Sequence, residues 1–398
     1  MNTNPFYMKS MSFSFMTQTQ PVPFPKHLLI ETTTRCNLRC KQCAHVINKY
    51  AFADMQLETF YKLRPLFQTT EQVALYGHGE TFLYPHFFEM LAELKQHDIF
   101  VYVTTNGTLI TRDVARRLIE LELDRLAFSL DAATPELFNE IRRGADFEKV
   151  LHNIRTLNTM KKQARHDEKP VLSIMYCAMQ SNIQELPKLV RLADELNMTH
   201  GVAVMNIYEY GISGESLVDH PELAEGPINE ANRLAQQLAV PLGGLHNGFE
   251  GLRILPVHLS IWDRLYRNYR EFTRSFDRKG LLKIKWSRLV NGLNGHNDLQ
   301  QAETTPEVKN TPESGKTIRV KKCRDPWEFL FVDVHGNIRP CCTSHRIMGN
   351  LHAEEFVTIW NSPKYQAFRA KMVSPDIPEE CKTCIRKAWQ TIPYPPPA

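Results

Sequence analysis

Three cysteines near the start of the chain are spaced as ligands of a metal centre. Cys36, Cys40 and Cys43 form a CxxxCxxC run that follows a strand-like stretch, residues 27–33. Three thiolates at this spacing can bind three irons of a cubane iron–sulfur cluster, which leaves the fourth iron open to a substrate or cofactor. A zinc site with His45 as the fourth ligand is the alternative, although closed zinc sites usually contain CxxC pairs.

A second group of cysteines lies near the C-terminus. Its members are Cys323, Cys341, Cys342, Cys381 and Cys384. Gly336 and Cys341 form a Gly-x4-Cys run, and two strand-like stretches, 328–334 and 338–340, predict a hairpin around that glycine. Cys381 and Cys384 add a CxxC pair. The different spacing indicates a second, independent metal site.

Composition and length argue against several classes of protein. The chain has 398 residues and a net charge of +4, and its Lys and Arg residues form no basic stripe, which argues against nucleic-acid binding. No apolar run approaches the ~18 residues needed to span a membrane, and the segment through Pro25 lacks the features of a signal peptide. We therefore expect a cytoplasmic protein, in which clustered cysteines indicate metal binding or catalysis.

Short apolar strands alternate with amphipathic helices from residue 26 to about 210, which predicts an α/β fold. The predicted strands are 27–33, 72–77, 100–105, 125–130, 171–177 and 201–207. Six β/α units favour a parallel sheet curved into a partial (β/α)6 TIM-type barrel. Functional sites of such barrels lie at the C-terminal ends of the strands, where the first cysteine group follows the first strand.

These patterns divide the chain into five segments. We expect a flexible tail (1–25), the barrel (26–210), an insertion or linker of unknown role (211–320), a small α+β domain with the second cysteine group (321–391) and a proline-rich tail (392–398).

Several motifs in this order resemble the radical S-adenosylmethionine (SAM) superfamily. The resemblance covers about residues 26–210 and a C-terminal extension. It implies that Cys36, Cys40 and Cys43 hold a 4Fe–4S cluster whose open iron binds SAM. The reduced cluster of such enzymes cleaves SAM to methionine and a 5′-deoxyadenosyl radical, which abstracts hydrogen from a substrate.

Two predicted strand ends resemble parts of the family's SAM pocket. The run Gly77-His78-Gly79-Glu80 resembles a Gly-Gly-Glu motif whose backbone meets the methionine amino group of SAM, and glycine permits that close approach. An ordinary strand-to-helix turn is the alternative. Asn106, after the third strand, resembles another pocket residue, although a turn-forming Asn-Gly explains it equally well.

Three further residues complete the implied SAM pocket. Ser129 ends the fourth strand, and Arg142 follows it at the place of a family arginine that contacts the SAM carboxylate or ribose. Arg143 is the competitor for that role. Gln42 stands where the family commonly has an aromatic residue near the adenine, and we expect its amide to bind the adenine edge instead.

The C-terminal pattern resembles the opening of SPASM and Twitch domains. The resemblance implies an auxiliary 4Fe–4S cluster, and its ligands would be Cys323, Cys341, Cys381 and Cys384. The absence of cysteines after Cys384 favours the shorter Twitch-like form. Zinc bound by the same four thiolates is the alternative. Cys342 is left over and, like Cys177, is expected to be a core residue.

The resemblance implies a radical SAM enzyme with a flavodoxin or ferredoxin as electron donor. A fully ligated auxiliary cluster favours oxidation of a small polar metabolite, because such a cluster can accept an electron. Modification of a ribosomally made peptide is the alternative, and a non-catalytic iron–sulfur or zinc scaffold is a third. Four residues are candidates for substrate contact by position only: Tyr176, Asn206, Tyr208 and Tyr210.

The two cysteine groups predict an iron content. Anaerobic reconstitution should give about eight irons per chain, four for each cubane. Replacing Cys36, Cys40 and Cys43 with Ala should remove about half of that iron. About four irons in the intact protein, together with bound zinc, would contradict the auxiliary cluster.

Overall fold

The fold is described from a computed structural model. It describes residues 22–164, 169–206, 214–217, 220–244, 317–321, 323–382, 384 and 389–393. Most of the predicted N-terminal tail, most of the 211–320 insertion, and Tyr208 and Tyr210 lie outside the described residues. The five segment boundaries therefore stay predictions.

Ten strands of the described residues form one sheet. In chain order, β1–β12 are His27–Ile30, Gln72–Leu75, Phe100–Thr105, Arg125–Ser129, Val171–Ala178, Val202–Asn206, Leu242–Gly244, Thr317–Lys321, Phe329–Val332, Asn337–Arg339, Gly349–Asn350 and Trp389–Pro393. The order in the sheet is β11-β10-β9-β1-β2-β3-β4-β5-β6-β7, and the strands from β9 through β7 in that order are mutually parallel. Strands β8 and β12 form a separate antiparallel pair.

The predicted partial barrel is confirmed, and two further parallel strands extend it, one at each edge of the predicted six. β7 joins β6, and β9 joins β1. The short β7 contains two glycines, and β9 is distant in the sequence, so strand propensity and the β/α alternation do not reveal their place in the sheet. β9 pairs with β1 from His27 opposite Phe329 to Ile30 opposite Val332.

The helices follow the strands as the alternating pattern predicts. The α-helices are Ala44–Asn48, Leu57–Tyr61, Phe87–Lys95, Arg112–Glu120, Pro135–Ile141, Phe147–Gln163, Leu186–Glu195, Glu222–Leu238, Asp325–Glu328, Phe356–Trp360, Pro363–Met372 and Glu379–Lys382, with 3-10 turns at Arg64–Leu66, Thr81–Leu83 and Ile183–Glu185. Thr111, Asp146 and Ser362 cap three of them by accepting a backbone N–H, which fixes where these helices begin. No helix within the described ranges is long and apolar enough to cross a membrane.

Alternate strand residues divide the core into two clusters. Leu28, Ile30 and the corresponding residues of the next strands pack with the helices. Leu29 and its equivalents pack on the inner face; this inner cluster comprises Leu29, Ala74, Tyr102, Ala127 and Phe331, with Tyr76, Phe100, Met175 and Phe329 packed against it. Because successive side chains of a strand point to opposite faces, residues in step with Leu29 at the strand ends face the mouth of the barrel.

The two cysteine groups lie toward opposite ends of the strands. The first group follows the C-terminal end of β1. β10 runs antiparallel to β9, and Arg339 lies opposite Phe331. The chain after Arg339 therefore runs back toward the level of Phe329, which pairs with His27 at the start of β1. Cys341 lies on this returning segment. Cys323 precedes the helix that leads into Phe329.

Candidate cluster and SAM site

The first cysteine group lies on a loop that is held against the segment after β4. The backbone N–H groups of Arg39 and Lys41 donate to the carbonyls of Arg143 and Ile141 at 2.9 and 2.8 Å. Leu38, in the middle of the loop, is buried. The apolar Leu38 therefore anchors the loop in the core, while the cysteines on either side remain beside the barrel mouth.

Burial weakens the acidity of two cysteines of this loop, Cys36 and Cys40. It raises the pKa of Cys36, and it raises the pKa of Cys40 to about 12, although the nearby Arg142 acts in the opposite direction. Without a metal, Cys40 is therefore a thiol at neutral pH. Binding of iron requires the thiolate, so that cluster assembly should release protons.

A buried ion pair connects Arg142 to this loop. Arg142 Nη2 lies 2.6 Å from Asp131 Oδ2, and Arg142 Nη1 lies 3.9 Å from Cys40 Sγ. Asp131 is fully buried. Its carboxylate accepts two further hydrogen bonds, one from Gln42 Nε2 and one from the Cys177 N–H at 2.8 Å. Two predicted SAM-pocket residues, Arg142 and Gln42, are thus brought together on one carboxylate.

The same network contains two unsatisfied polar atoms. Gln42 Oε1 and Arg142 Nε are buried and have no hydrogen-bond partner among the described residues. Buried polar groups are usually paired, because an unpaired one destabilises the folded state. Gln42 Oε1 is a free acceptor and Arg142 Nε is a free donor. Both fit a bound cofactor that has amino, carboxylate and adenine groups. Ser129 ends β4 two residues before Asp131, at the same edge of the sheet.

Glu80 and Asn106 fix the loops around the cluster rather than presenting their side chains to the mouth. The Glu80 carboxylate accepts hydrogen bonds from Thr105 Oγ1 and the Asn106 N–H, both at 2.7 Å. Burial raises the pKa of Glu80, and these two hydrogen bonds oppose that effect. The Asn106 side chain donates to Asn37 Oδ1 in the cysteine loop at 2.9 Å.

The two glycines of the motif are required by close approach. A Cβ atom on Gly79 would lie 2.4 Å from the Thr33 carbonyl oxygen and 2.6 Å from that of Arg35. A Cβ atom on Gly77 would lie 2.3 Å from Glu31 Cγ. Any side chain at Gly79 would therefore push the motif away from the chain that leads into the cysteine loop.

Sequence reasoning missed Glu31, which organises the mouth beside the motif. Its Oε1 lies 2.6 Å from His78 Nδ1 and accepts the His78 N–H at 2.9 Å, while its Oε2 accepts the Val334 N–H at 3.4 Å. Burial raises the pKa of Glu31, but the hydrogen bonds from His78 and Val334 outweigh it and leave the pKa below its usual value. An acid directly after an apolar strand was the signal available in the sequence.

All four predicted ligands of the auxiliary cluster line one cavity. Its lining is Lys321, Cys323, Asp325, Cys341, Thr343, Ser344, Met372, Glu380, Cys381 and Cys384. Burial raises the pKa of Cys381 to about 12, and nearby Cys341 and Glu380 add to the effect. Four thiols around one cavity are a donor set that fits a fully ligated iron–sulfur cluster or zinc.

Three other predicted residues are placed apart from this donor set. Cys342 is exposed and is not part of the cavity lining, so its predicted burial is wrong; it follows Cys341 in a surface turn. Cys177 is partly exposed at the barrel mouth, where the Asp131 carboxylate binds its N–H. Tyr176 is fully buried, and its hydroxyl donates to the Asn182 carbonyl at 2.7 Å.

Family models agree with both sites. Residues 30–193 match the model of the radical SAM superfamily. The chain belongs to the radical SAM superfamily. Residues 323–385 match the SPASM model, an iron–sulfur cluster-binding domain. The cofactors of this enzyme family are thus a 4Fe–4S cluster and SAM, with additional iron–sulfur at the C-terminal domain, and the residues above fit them.

The names of similar proteins describe several different activities. The tungsten-containing aldehyde ferredoxin oxidoreductase cofactor-modifying protein of Pyrococcus furiosus is 30% identical over 174 residues, 42% of this chain and 47% of that protein. The AdoMet-dependent heme synthase of Methanosarcina barkeri is 22% identical over 369 residues, 91% of this chain and 89% of that protein. The chain spans about half the length of the first of these curated relatives.

A solved structure shares the fold across both regions. Streptococcus suis SuiB bound to precursor peptide SuiA has a TM-score of 0.56 and 18% sequence identity, and the match covers 87% of this chain and 67% of that chain. At this identity the likeness shows the fold.

The network around Asp131 predicts the effect of removing Arg142. Arg142→Ala should weaken SAM binding about 10–100-fold, because a charge-assisted contact is lost. It should also lower the free energy of unfolding by about 3–5 kcal/mol, since the buried Asp131 keeps its hydrogen bonds but loses its counter-charge. Titration with SAM and thermal unfolding measure the two effects. Exposed Arg143→Ala is the matched control, and weaker SAM binding in that variant alone would move the role to Arg143.

Proposed function

We propose that the protein is a radical SAM enzyme that oxidises a small polar metabolite by removing a hydrogen atom, a proton and an electron. We place it in the cytoplasm with a flavodoxin or ferredoxin as electron donor. The SAM-binding cluster supplies the radical chemistry when it is loaded. The auxiliary cluster would take up the electron that remains on the substrate.

The single observation that carries the proposal is the cavity lined by Cys323, Cys341, Cys381 and Cys384. Four cysteines occupy every iron of a cubane, so substrate has no open iron to bind there. A closed cluster is suited to electron transfer. Its place toward the start of β1, opposite the first cysteine group, leaves the barrel interior between the two sites.

The Glu31–His78 pair supports oxidation because oxidation of an alcohol also requires a proton acceptor. In the proposed reaction the ionised Glu31 accepts a hydrogen bond from His78 Nδ1–H, and the lone pair of His78 Nε2 takes up the substrate proton. After hydrogen abstraction from the carbinol carbon, Nε2 would take the hydroxyl proton. The electron would then pass to the auxiliary cluster, and the carbonyl product would form. Gly77 allows this arrangement because it leaves room for the Glu31 side chain.

Peptide modification is the second candidate. The shared fold with SuiB, which was solved with its precursor peptide, favours it. The similarity to a heme synthase over nearly the whole of both chains favours a small-molecule substrate. A screen of dialysable metabolites against synthetic peptides, with substrate-stimulated 5′-deoxyadenosine as the readout, separates the two candidates. Stimulation by peptides alone would overturn the metabolite proposal.

The electron-acceptor role predicts uncoupling. Replacing Cys381 and Cys384 with Ala should abolish product but leave some formation of 5′-deoxyadenosine, because SAM cleavage depends on the other cluster. Replacing Cys36, Cys40 and Cys43 should abolish both. Size-exclusion chromatography and circular dichroism check that the C-terminal region remains folded, since metal binding and folding are coupled in small domains. A folded variant that makes full product would exclude the role.

The proton-acceptor role predicts a similar split for the barrel mouth. His78→Gln should retain SAM binding and cleavage but lower the rate of product formation about 100-fold or more, in the range of general-base catalysis. Asn48→Ala is the control. The exposed Asn48 side chain donates to the hydroxyl of Tyr50, whose ring contacts His78, and its replacement should leave that rate unchanged. Full product formation by His78→Gln would show that another group accepts the proton.

A further inference from the structure

The helix Pro363–Met372 turns a buried face toward the auxiliary cavity. Tyr365, Arg369 and Met372 are four and three residues apart, so they share that face, and all three are buried. Met372 itself lines the cavity of the four cysteines. Arg369 donates to the carbonyl of Pro326, which follows the cavity residue Asp325.

Tyr365 carries a hydroxyl that has no partner in the described part of the chain. The side chain is fully buried, and its oxygen makes no hydrogen bond to any described residue. Burial raises the pKa of Tyr365 far above its usual value. The charge of Arg369 lowers this pKa, and those of Cys341 and Asp325 raise it further. The phenol is therefore protonated at neutral pH and offers a hydrogen-bond donor.

Two of the three guanidinium nitrogens of Arg369 are fixed by hydrogen bonds to the backbone. Nε and Nη1 each donate to a carbonyl at 2.8 Å, those of Pro326 and Trp360. The guanidinium lies 4.2 Å from the centre of the Trp360 ring and 4.1 Å from that of Tyr365. Nη2 is buried and has no partner among the residues described.

The charge of Arg369 is not neutralised locally. No carboxylate of a described residue lies within ion-pair distance of it. Burial lowers the pKa of Arg369 to about 10, which still leaves it cationic at neutral pH. Two unsatisfied donors and an unpaired cation on the helix face that carries the cavity residue Met372 are costly in a folded protein unless an acceptor reaches them. Cysteine and sulfide sulfurs of an iron–sulfur cluster are such acceptors.

We propose that Tyr365 and Arg369 raise the reduction potential of the auxiliary cluster by directing a hydrogen-bond donor and a positive charge at its sulfur atoms. Hydrogen bonds to the sulfurs and nearby positive charge stabilise the reduced, more negative cluster. The cluster then accepts an electron more readily. This inference rests on the electron-acceptor role in the proposed function, and its effect is measured without any substrate.

The test is a redox titration of the reconstituted holoenzyme monitored by electron paramagnetic resonance. The signal of the SAM-binding cluster is identified by its change on addition of SAM. Tyr365→Phe removes only the hydroxyl. It should disfavour reduction of the auxiliary cluster three- to tenfold, about 30–60 mV more negative for a one-electron couple, without altering the other cluster. An unchanged auxiliary potential would overturn the proposal.

Further variants separate the donor from the charge and from general effects of mutation. Arg369→Gln should shift the auxiliary potential to more negative values than Arg369→Lys, which keeps the charge but loses the fixed geometry. Tyr84→Phe is the matched control, because Tyr84 is buried and its hydroxyl already donates to the Met55 carbonyl at 2.8 Å. Tyr84→Phe should leave both potentials unchanged, and equal shifts in Tyr84→Phe and Tyr365→Phe would also overturn the proposal.

A measurement on the unmodified protein covers the case in which a variant loses its cluster. Exchange into D2O should shift the Fe–S stretching bands of the auxiliary cluster in resonance Raman spectra, because donors on oxygen and nitrogen exchange their protons. Bands that do not move would exclude hydrogen bonding by Tyr365 and Arg369. If metabolite oxidation fails while the potential shifts as expected, the tuning stands and the proposed function falls.

Discussion

Buried carboxylates at the ends of parallel strands hold the mouth of the barrel together. Glu31 follows β1 and accepts the N–H of His78 after β2. Glu80 follows β2 and accepts the N–H of Asn106 after β3. Asp131 follows β4 and accepts the N–H of Cys177 at the end of β5. Each acid thus accepts a hydrogen bond from a backbone N–H at or just after the end of a later strand. At this edge the hydrogen bonds between neighbouring strands stop, so these N–H groups need other partners.

These carboxylates also determine which side chains are available for chemistry. Asp131 gathers Arg142 and Gln42 beside Cys40, and Glu31 orients His78. A charge this deeply buried is tolerated only with several good partners. The same groups that complete the backbone hydrogen bonding therefore position the residues around the cofactor. A change at one of them disturbs the fold and the site together.

The C-terminal region is built into the barrel sheet through β9. The pairing of β9 with β1 runs residue by residue along both strands, and Val334 after β9 contributes an N–H to Glu31. The cysteine cavity and the barrel mouth are therefore connected through one short strand. In the proposed function this rigid connection fixes the distance between the electron acceptor and the site of hydrogen abstraction.

The sequence by itself determined the six alternating β/α units, the parallel sheet and the two cysteine groups, because periodicity and ligand spacing are local properties. Through its resemblance to a known family it also predicted Arg142 and Gln42 as residues of one pocket, and that role stays a prediction. Only the tertiary structure decided that Glu31 binds His78, that Asp131 links Arg142 to Gln42, and that β9 joins β1. The Glu31–His78 and Gln42–Asp131 contacts connect residues 47 and 89 positions apart, and β9 pairs with β1 from about 300 positions away. At these distances no local pattern specifies the partner. The unsatisfied donors of Tyr365 and Arg369 likewise emerge only once the surrounding helices have packed.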